Sequence, residues 1–167
     1  MSLLLVLTAF SVIASALVSG VFLTFSDFVM RSLDRTQREG GVEAMQIINR
    51  EVFATLFMAL LIGMSLLSLV LVWFTWPQAG GALAAPDRLL VLSGSVIYLV
   101  LVFAVTLIGN VPLNIKLDRI SHTSADTAAF WSATFYPRWT MFNHIRTFGA
   151  GAASVCFLLA CLVPAAA

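Results

Sequence analysis

The chain has 167 residues, of which 60% are hydrophobic and 10% charged, with a net charge of +1 and a mean hydropathy of +1.00. A soluble domain carries about a quarter charged residues, so this composition belongs to a lipid bilayer and excludes an ordinary soluble enzyme. A balance this close to neutral also gives no basis for nucleic-acid binding.

Four stretches lack Asp, Glu, Lys and Arg: Met1 to Ser26, Val52 to Pro86, Leu89 to Ile115 and Thr147 to Ala167. Each can supply the roughly 20 apolar residues that a spanning helix needs. The expected fold is all-α, a four-transmembrane-helix antiparallel bundle forming one integral membrane domain over residues 1–167. Its helices are expected at about 3–30, 52–76, 88–115 and 139–163, with a short amphipathic inner helix before the second. The first stretch lacks the positively charged start of a signal peptide and reads as a retained helix. Of the nine Lys and Arg, Arg88 alone serves one side; the other eight belong to the 1–2 and 3–4 connections. The positive-inside rule then puts both termini outside and the charged connections in the cytoplasm of a bacterial plasma membrane.

In helix 1, Ser11, Ser15 and Ser19 repeat every four residues with Ala16 and Gly20 beside them, a small-residue stripe for close helix contact. Asp27 and Arg31 fall at i and i+4, the spacing of an interfacial ion pair. A polar turn around Arg38 to Gly41 leads into the amphipathic helix. There Val42, Met45, Ile48 and Val52 make the apolar stripe, while Gln46, Asn49 and Arg50 share another face. Helix 2 carries no ionisable group; Gly63 and Ser65 are its expected close-contact points, and Trp73 and Trp76 mark an interface. The connection from Pro77 to Pro86 is uncharged and suggests no site.

Helix 3 places Thr106, Asn110 and Asn114 in one polar stripe. Pro112 cannot donate its amide and displaces the carbonyl of Ile108, so a kink with a freed backbone acceptor is expected. The second charged connection holds Lys116, Asp118, Arg119 and His122, followed by a helix start with Thr123, Ser124 or Asp126 as cap. Six aromatic residues follow between Phe130 and Phe142. They read as an interfacial belt, which would also suit stacking on a flat aromatic ligand. On helix 4, Trp139, Asn143 and Arg146 fall at i, i+4 and i+7, on one face. Gly149 to Ser154 permit tight helix contact, which favours an acceptor for Arg146 inside the bundle over a path to the headgroups. Cys156 and Cys161 lie about 140° apart around that helix and read as small buried apolar residues.

In an antiparallel bundle these polar groups share one end. Asp27, Gln46, Asn49, Arg50, Asn110, Asn114, Trp139, Asn143, His144 and Arg146 should therefore converge on one polar pocket. A metal or haem through His122 and His144 is the minor reading, because no H-x-x-x-H or C-x-x-C spacing accompanies them. The expectation is no metal and no cofactor.

Three segments carry a resemblance. Glu43-Ala-Met-Gln-Ile-Ile-Asn49-Arg50, Asn110-x-Pro-x-Asn114 and Trp139-x-x-x-Asn143-His-x-Arg146 together resemble the anthrone oxygenases, small four-helix membrane proteins with many bacterial members of unassigned activity. One departure is visible: many members have Pro after the Met that closes helix 1, where this chain has Met30-Arg31. The resemblance implies oxidation of an anthrone, or a similar electron-rich polyketide phenol, to a quinone by O2 without a cofactor. In that scheme His144 is the base, since imidazole is the side chain that titrates near neutrality. Arg146 with Asn110, Asn114 and Asn143 would hold the oxyanion. Trp139, Trp131 and Tyr136 would stack on the ring system, with Gln46, Asn49 and Arg50 completing the binding set. The alternative is a non-catalytic subunit of a membrane complex, or a small-molecule binder, with a homo-oligomer or complex partner. A transporter is disfavoured because no midplane site is evident.

Overall fold

A computed structural model describes residues 3–36, 38–76 and 86–163. Four helices are long and apolar enough to cross a membrane: α1 (Leu3–Asp34), α3 (Leu56–Thr75), α4 (Asp87–Asp118) and α5 (Asp126–Leu162). The amphipathic helix α2 (Arg38–Glu51) lies between the first two. The protein is an all-α, multi-pass membrane bundle with no strand among the described residues. The connection from Pro77 onward falls almost wholly outside them.

Each end of these elements has a local cause. With Arg31 rather than Pro after Met30, α1 keeps its backbone donors and runs on to Asp34. The polar turn expected around Arg38 to Gly41 is instead the first turn of α2. Gly41 is required there, because a Cβ would collide with the carbonyl of Leu33 at the end of α1. α3 begins at Leu56, later than expected, after a 3-10 turn at Val52–Ala54. Thr55 caps it, its hydroxyl accepting from the Met58 amide at 3.3 Å.

The last helix departs most from expectation. It starts at Asp126, well before Trp139, and Ser124 caps it by accepting from the Asp126 amide at 3.2 Å. The residue that makes this continuity surprising is Pro137. A wide π turn at Trp131–Phe135 contains Ala133, the residue whose carbonyl a regular helix would drive against the proline ring. The same device precedes Pro112: a π turn at Thr106–Asn110 contains Ile108. Both helices therefore continue past their prolines without ending.

α1 and α5 form the most extensive interface. Ser11 and Ser15 are buried in it, the Ser19 hydroxyl donates to the Thr147 carbonyl at 2.9 Å, and the Ser154 hydroxyl donates to the Val12 carbonyl at 3.0 Å. The small-residue stripe thus packs through its serines, while Ala16 and Gly20 face outward. On α3, Gly63 is exposed with open space where a Cβ would sit, so it is not the contact point its size suggests. Buried apolar side chains form two clusters. One fills the bundle around Val18, Met64, Tyr98 and Phe157. The other, at the charged end, joins Met30, Val42, Met45 and Leu117 to Trp131, Phe135 and Trp139. The aromatic run contributes to interior packing at this end: Trp131 stacks on Phe135 with ring centres 5.2 Å apart.

A Cβ at Gly149 would meet the Cβ of Leu101 at 2.6 Å, whereas one at Gly63 meets nothing within 4 Å. Gly149→Ala should cost about 1–3 kcal/mol and lower the thermal midpoint in detergent. Gly63→Ala should leave it unchanged or slightly raised.

Candidate functional site

The site is organised by two residues one helical turn apart on α5. Asn143 is fully buried, and its amide group donates to the Phe22 carbonyl and to the Ser26 hydroxyl of α1, both at 2.6 Å. With its nitrogen held in this way, its oxygen faces Arg146 and accepts from the guanidinium at 2.6 Å. Arg146 is 5% exposed. A second guanidinium nitrogen reaches the Thr106 hydroxyl at 3.4 Å, and the Nε–H has no partner. The cation lies over the rings of Phe22 and Trp139, at 4.3 and 5.4 Å from their centres. Among the described residues no carboxylate pairs with it; the ion pairs are Arg31–Asp27 and Arg50–Asp118. Thr106 is about 18 Å from Asp118 along α4, so the charge sits well inside the bundle.

Opposite, α4 presents the polar stripe read from its sequence. Asn110 is buried and donates to the Trp139 carbonyl at 3.2 Å, leaving its own oxygen without a partner. The Trp139 indole N–H donates to the Asn114 oxygen at 2.8 Å, which fixes the plane of the ring. These groups line a cavity of about 910 Å³. Its floor is the end of α2, where Asn49 contributes an amide nitrogen that is buried and without a partner. At the charged end, Arg50 closes on Asp118 at 2.7 Å, with Glu51 and Arg119 beside them.

The cavity is less polar than the sequence suggests. Its walls are mainly apolar, with Phe25, Phe57, Phe103 and Leu61 among them, and the polar atoms stand at a few points. That is the usual build of a small-molecule site. The largest correction concerns His144, which is exposed on α5 and does not line the cavity. One residue is about 100° of helix rotation, so a neighbour of the inward-facing Asn143 turns outward. Gln46 is buried, but its amide donates to the carbonyls of Leu117 and Ile120 at 2.8 and 2.9 Å, tying α2 to the end of α4. Trp131 donates to the Asp34 carboxylate at 2.9 Å and, with Tyr136, belongs to the charged-end packing rather than the cavity wall. Asn49, Arg50, Asn110, Asn114, Trp139, Asn143 and Arg146 do line the cavity. Asp27 is exposed and paired with Arg31 at 3.8 Å.

Sequence reasoning missed Thr106 as a partner of Arg146, although the i+4 stripe contained it. It also missed two cavity residues: Asp118, read as a charge of the second connection, and Glu51, which was not singled out. No three His, Cys, Asp or Glu side chains gather where they could share an ion among the described residues.

The chain matches the anthrone oxygenase family over residues 50–156. It belongs to that family. The matched segment includes six of the seven cavity residues just named; Asn49 and the rest of the Glu43–Asn49 segment precede it, as does α1. No curated protein and no solved structure matches the chain.

Asn143→Leu removes the acceptor for a buried guanidinium and should destabilise the protein by about 1.5–3 kcal/mol. His144→Leu, on the outward face, should change stability by less than about 0.5 kcal/mol. Thermal unfolding in detergent compares the two.

Proposed function

We propose that this protein is a membrane-embedded oxygenase that oxidises an anthrone, or a related electron-rich polyketide phenol, to a quinone with O2. One observation carries the reading: a guanidinium with no counter-charge, buried against aromatic rings at a cavity whose walls are apolar. Such a charge is costly in a bilayer interior and calls for an anionic partner. An anthrone becomes that partner when it loses a proton from the ring carbon opposite its carbonyl. The resulting enolate places its charge on oxygen, where Arg146 stabilises it, and Trp139 and Phe22 flank the flat ring system.

The remaining steps balance without a further reagent. The enolate passes one electron to O2, giving a carbon radical and superoxide. These combine at the deprotonated carbon into a peroxide, which takes up a proton. Loss of the second hydrogen from that carbon breaks the O–O bond, forms the new carbonyl and releases water. The sum is anthrone plus O2 giving anthraquinone plus water. With His144 turned outward, the first proton needs another acceptor. Glu51 receives it by relay through the cavity rather than directly: it lines the cavity at its charged end, away from Arg146, and no ion pair among the described residues engages it, whereas Asp118 is held by Arg50.

We place the charged end at the cytosolic face of a bacterial plasma membrane, with both termini outside. Seven Lys and Arg flank that end once Arg146 is set aside inside the bundle, against Arg88 at the other.

Purified protein should form anthraquinone from anthrone with one O2 consumed per product. Arg146→Met should lower kcat/KM by about 10²–10³, while His144→Ala stays within twofold. Glu51→Gln should lower kcat by at least tenfold. A wild-type protein that binds anthrones tightly and never turns them over would instead support a small-molecule-binding subunit.

A further inference from the structure

The cavity has two sides that could admit a ligand, and they differ in chemistry. The side facing water is crossed by the Arg50–Asp118 pair, in which Arg50 donates to the Asp118 carboxylate at 2.8 Å through Nε and approaches it at 2.7 Å through a terminal nitrogen. This pair joins the end of α2 to the end of α4. Gln46 adds a second tie between the same helices through the Leu117 and Ile120 carbonyls.

The side facing lipid has no such closure. α3 packs along the first part of α4, over Pro86–Ile97 and Tyr98–Ala104, and has little contact with α4 beyond it. The residues that line the cavity where the two helices part are Ile62 from α3 and Leu107 and Ile115 from α4. All three are apolar and about half exposed, at 47%, 50% and 47%. They therefore form the edges of a gap rather than a packed seam. No polar group of these three residues would have to be desolvated by something passing between them, and none would hydrogen-bond a water-borne solute on its way in.

We propose that the ligand enters sideways from the bilayer, between α3 and α4, as a lipophilic molecule with one ionisable oxygen that ends on Arg146. This rests on the oxygenase reading for the identity of the aromatic ligand, and it adds where that ligand comes from. A flat phenolic compound partitions into the membrane and presents its rings to the apolar edges, while the buried guanidinium receives its oxygen. The Arg50–Asp118 pair narrows the water-facing side, and the mainly apolar walls lower the local dielectric around Arg146, which strengthens its interaction with the ligand.

The test uses the full chain in liposomes and 1,8-dihydroxyanthraquinone, a product analogue that cannot be turned over, dissolved in the bilayer. Binding is followed by the change in the absorption band of the bound dye after rapid mixing with dye-loaded vesicles. The on-rate should follow the mole fraction of dye in the membrane. Ile62→Trp and Leu107→Trp should each slow it by at least tenfold, with the equilibrium affinity changed by less than threefold. Leu66→Trp, exposed on the same helix and not lining the cavity, should leave the rate unchanged. As a second route, Ile62→Cys in a Cys156→Ala, Cys161→Ala background is labelled with a bulky thiol reagent after folding and should slow binding to the same degree. Arg50→Ala should not accelerate it. An on-rate indifferent to Ile62, Leu107 and the label, but raised threefold or more by Arg50→Ala, would overturn the proposal in favour of a water-side route. Failure of the wild type to bind the dye would overturn it too. A protein that shows the gap dependence and still produces no quinone would sink the oxygenase reading while leaving this one standing.

Discussion

A positive charge held inside an apolar bundle without a negative partner is the constraint from which the rest of this structure follows. Arg146 would ordinarily stretch toward headgroups or pair with a carboxylate. Here it accepts a smaller compensation: the oxygen of Asn143, a distant hydroxyl from Thr106, and the faces of two aromatic rings. Asn143 can serve only because α1 fixes its other end through the Phe22 carbonyl and the Ser26 hydroxyl. That, in turn, needs α1 and α5 close together, which the serines and small residues of both helices provide. The packing of two helices and the poise of one cation are therefore a single arrangement.

The surroundings are built to keep that cation available rather than satisfied. Asn110 gives its donor to the Trp139 carbonyl and retains a free acceptor; Arg146 retains a free Nε–H. Unpartnered buried groups of this kind are uncommon in a folded protein. Their grouping around one cavity, with the indole of Trp139 fixed by Asn114, is what distinguishes this site from a chance void among helices. Pro112 belongs to the same design, since the π turn before it carries Thr106 and Asn110 and lets α4 continue past the proline.

Much of this was legible in the sequence because helical geometry is regular. The spacing of Trp139, Asn143 and Arg146 placed all three on one face, and Thr106, Asn110 and Asn114 shared another. The same geometry argues against His144, which stands beside Asn143 and so points elsewhere, although imidazole is the chemically suited base. The start of α5 was also within reach. Ser124 is a cap, and Trp131, Phe135 and Trp139 repeat every four residues, the pattern of one buried stripe. What periodicity could not supply was tertiary context. Gln46 looks like a site residue until the carbonyls of Leu117 and Ile120 claim it, and Glu51 looks like a loop charge until the end of α2 becomes a cavity floor.

The family match begins at Arg50, so α1 lies wholly outside it. Yet α1 supplies the Phe22 carbonyl, the Ser26 hydroxyl and the ring beneath the guanidinium. The segment by which the family is recognised thus contains the charged side chain but not what aims it. Two relatives could agree at every matched position and still hold that side chain at different angles, according to the helix each one brings alongside.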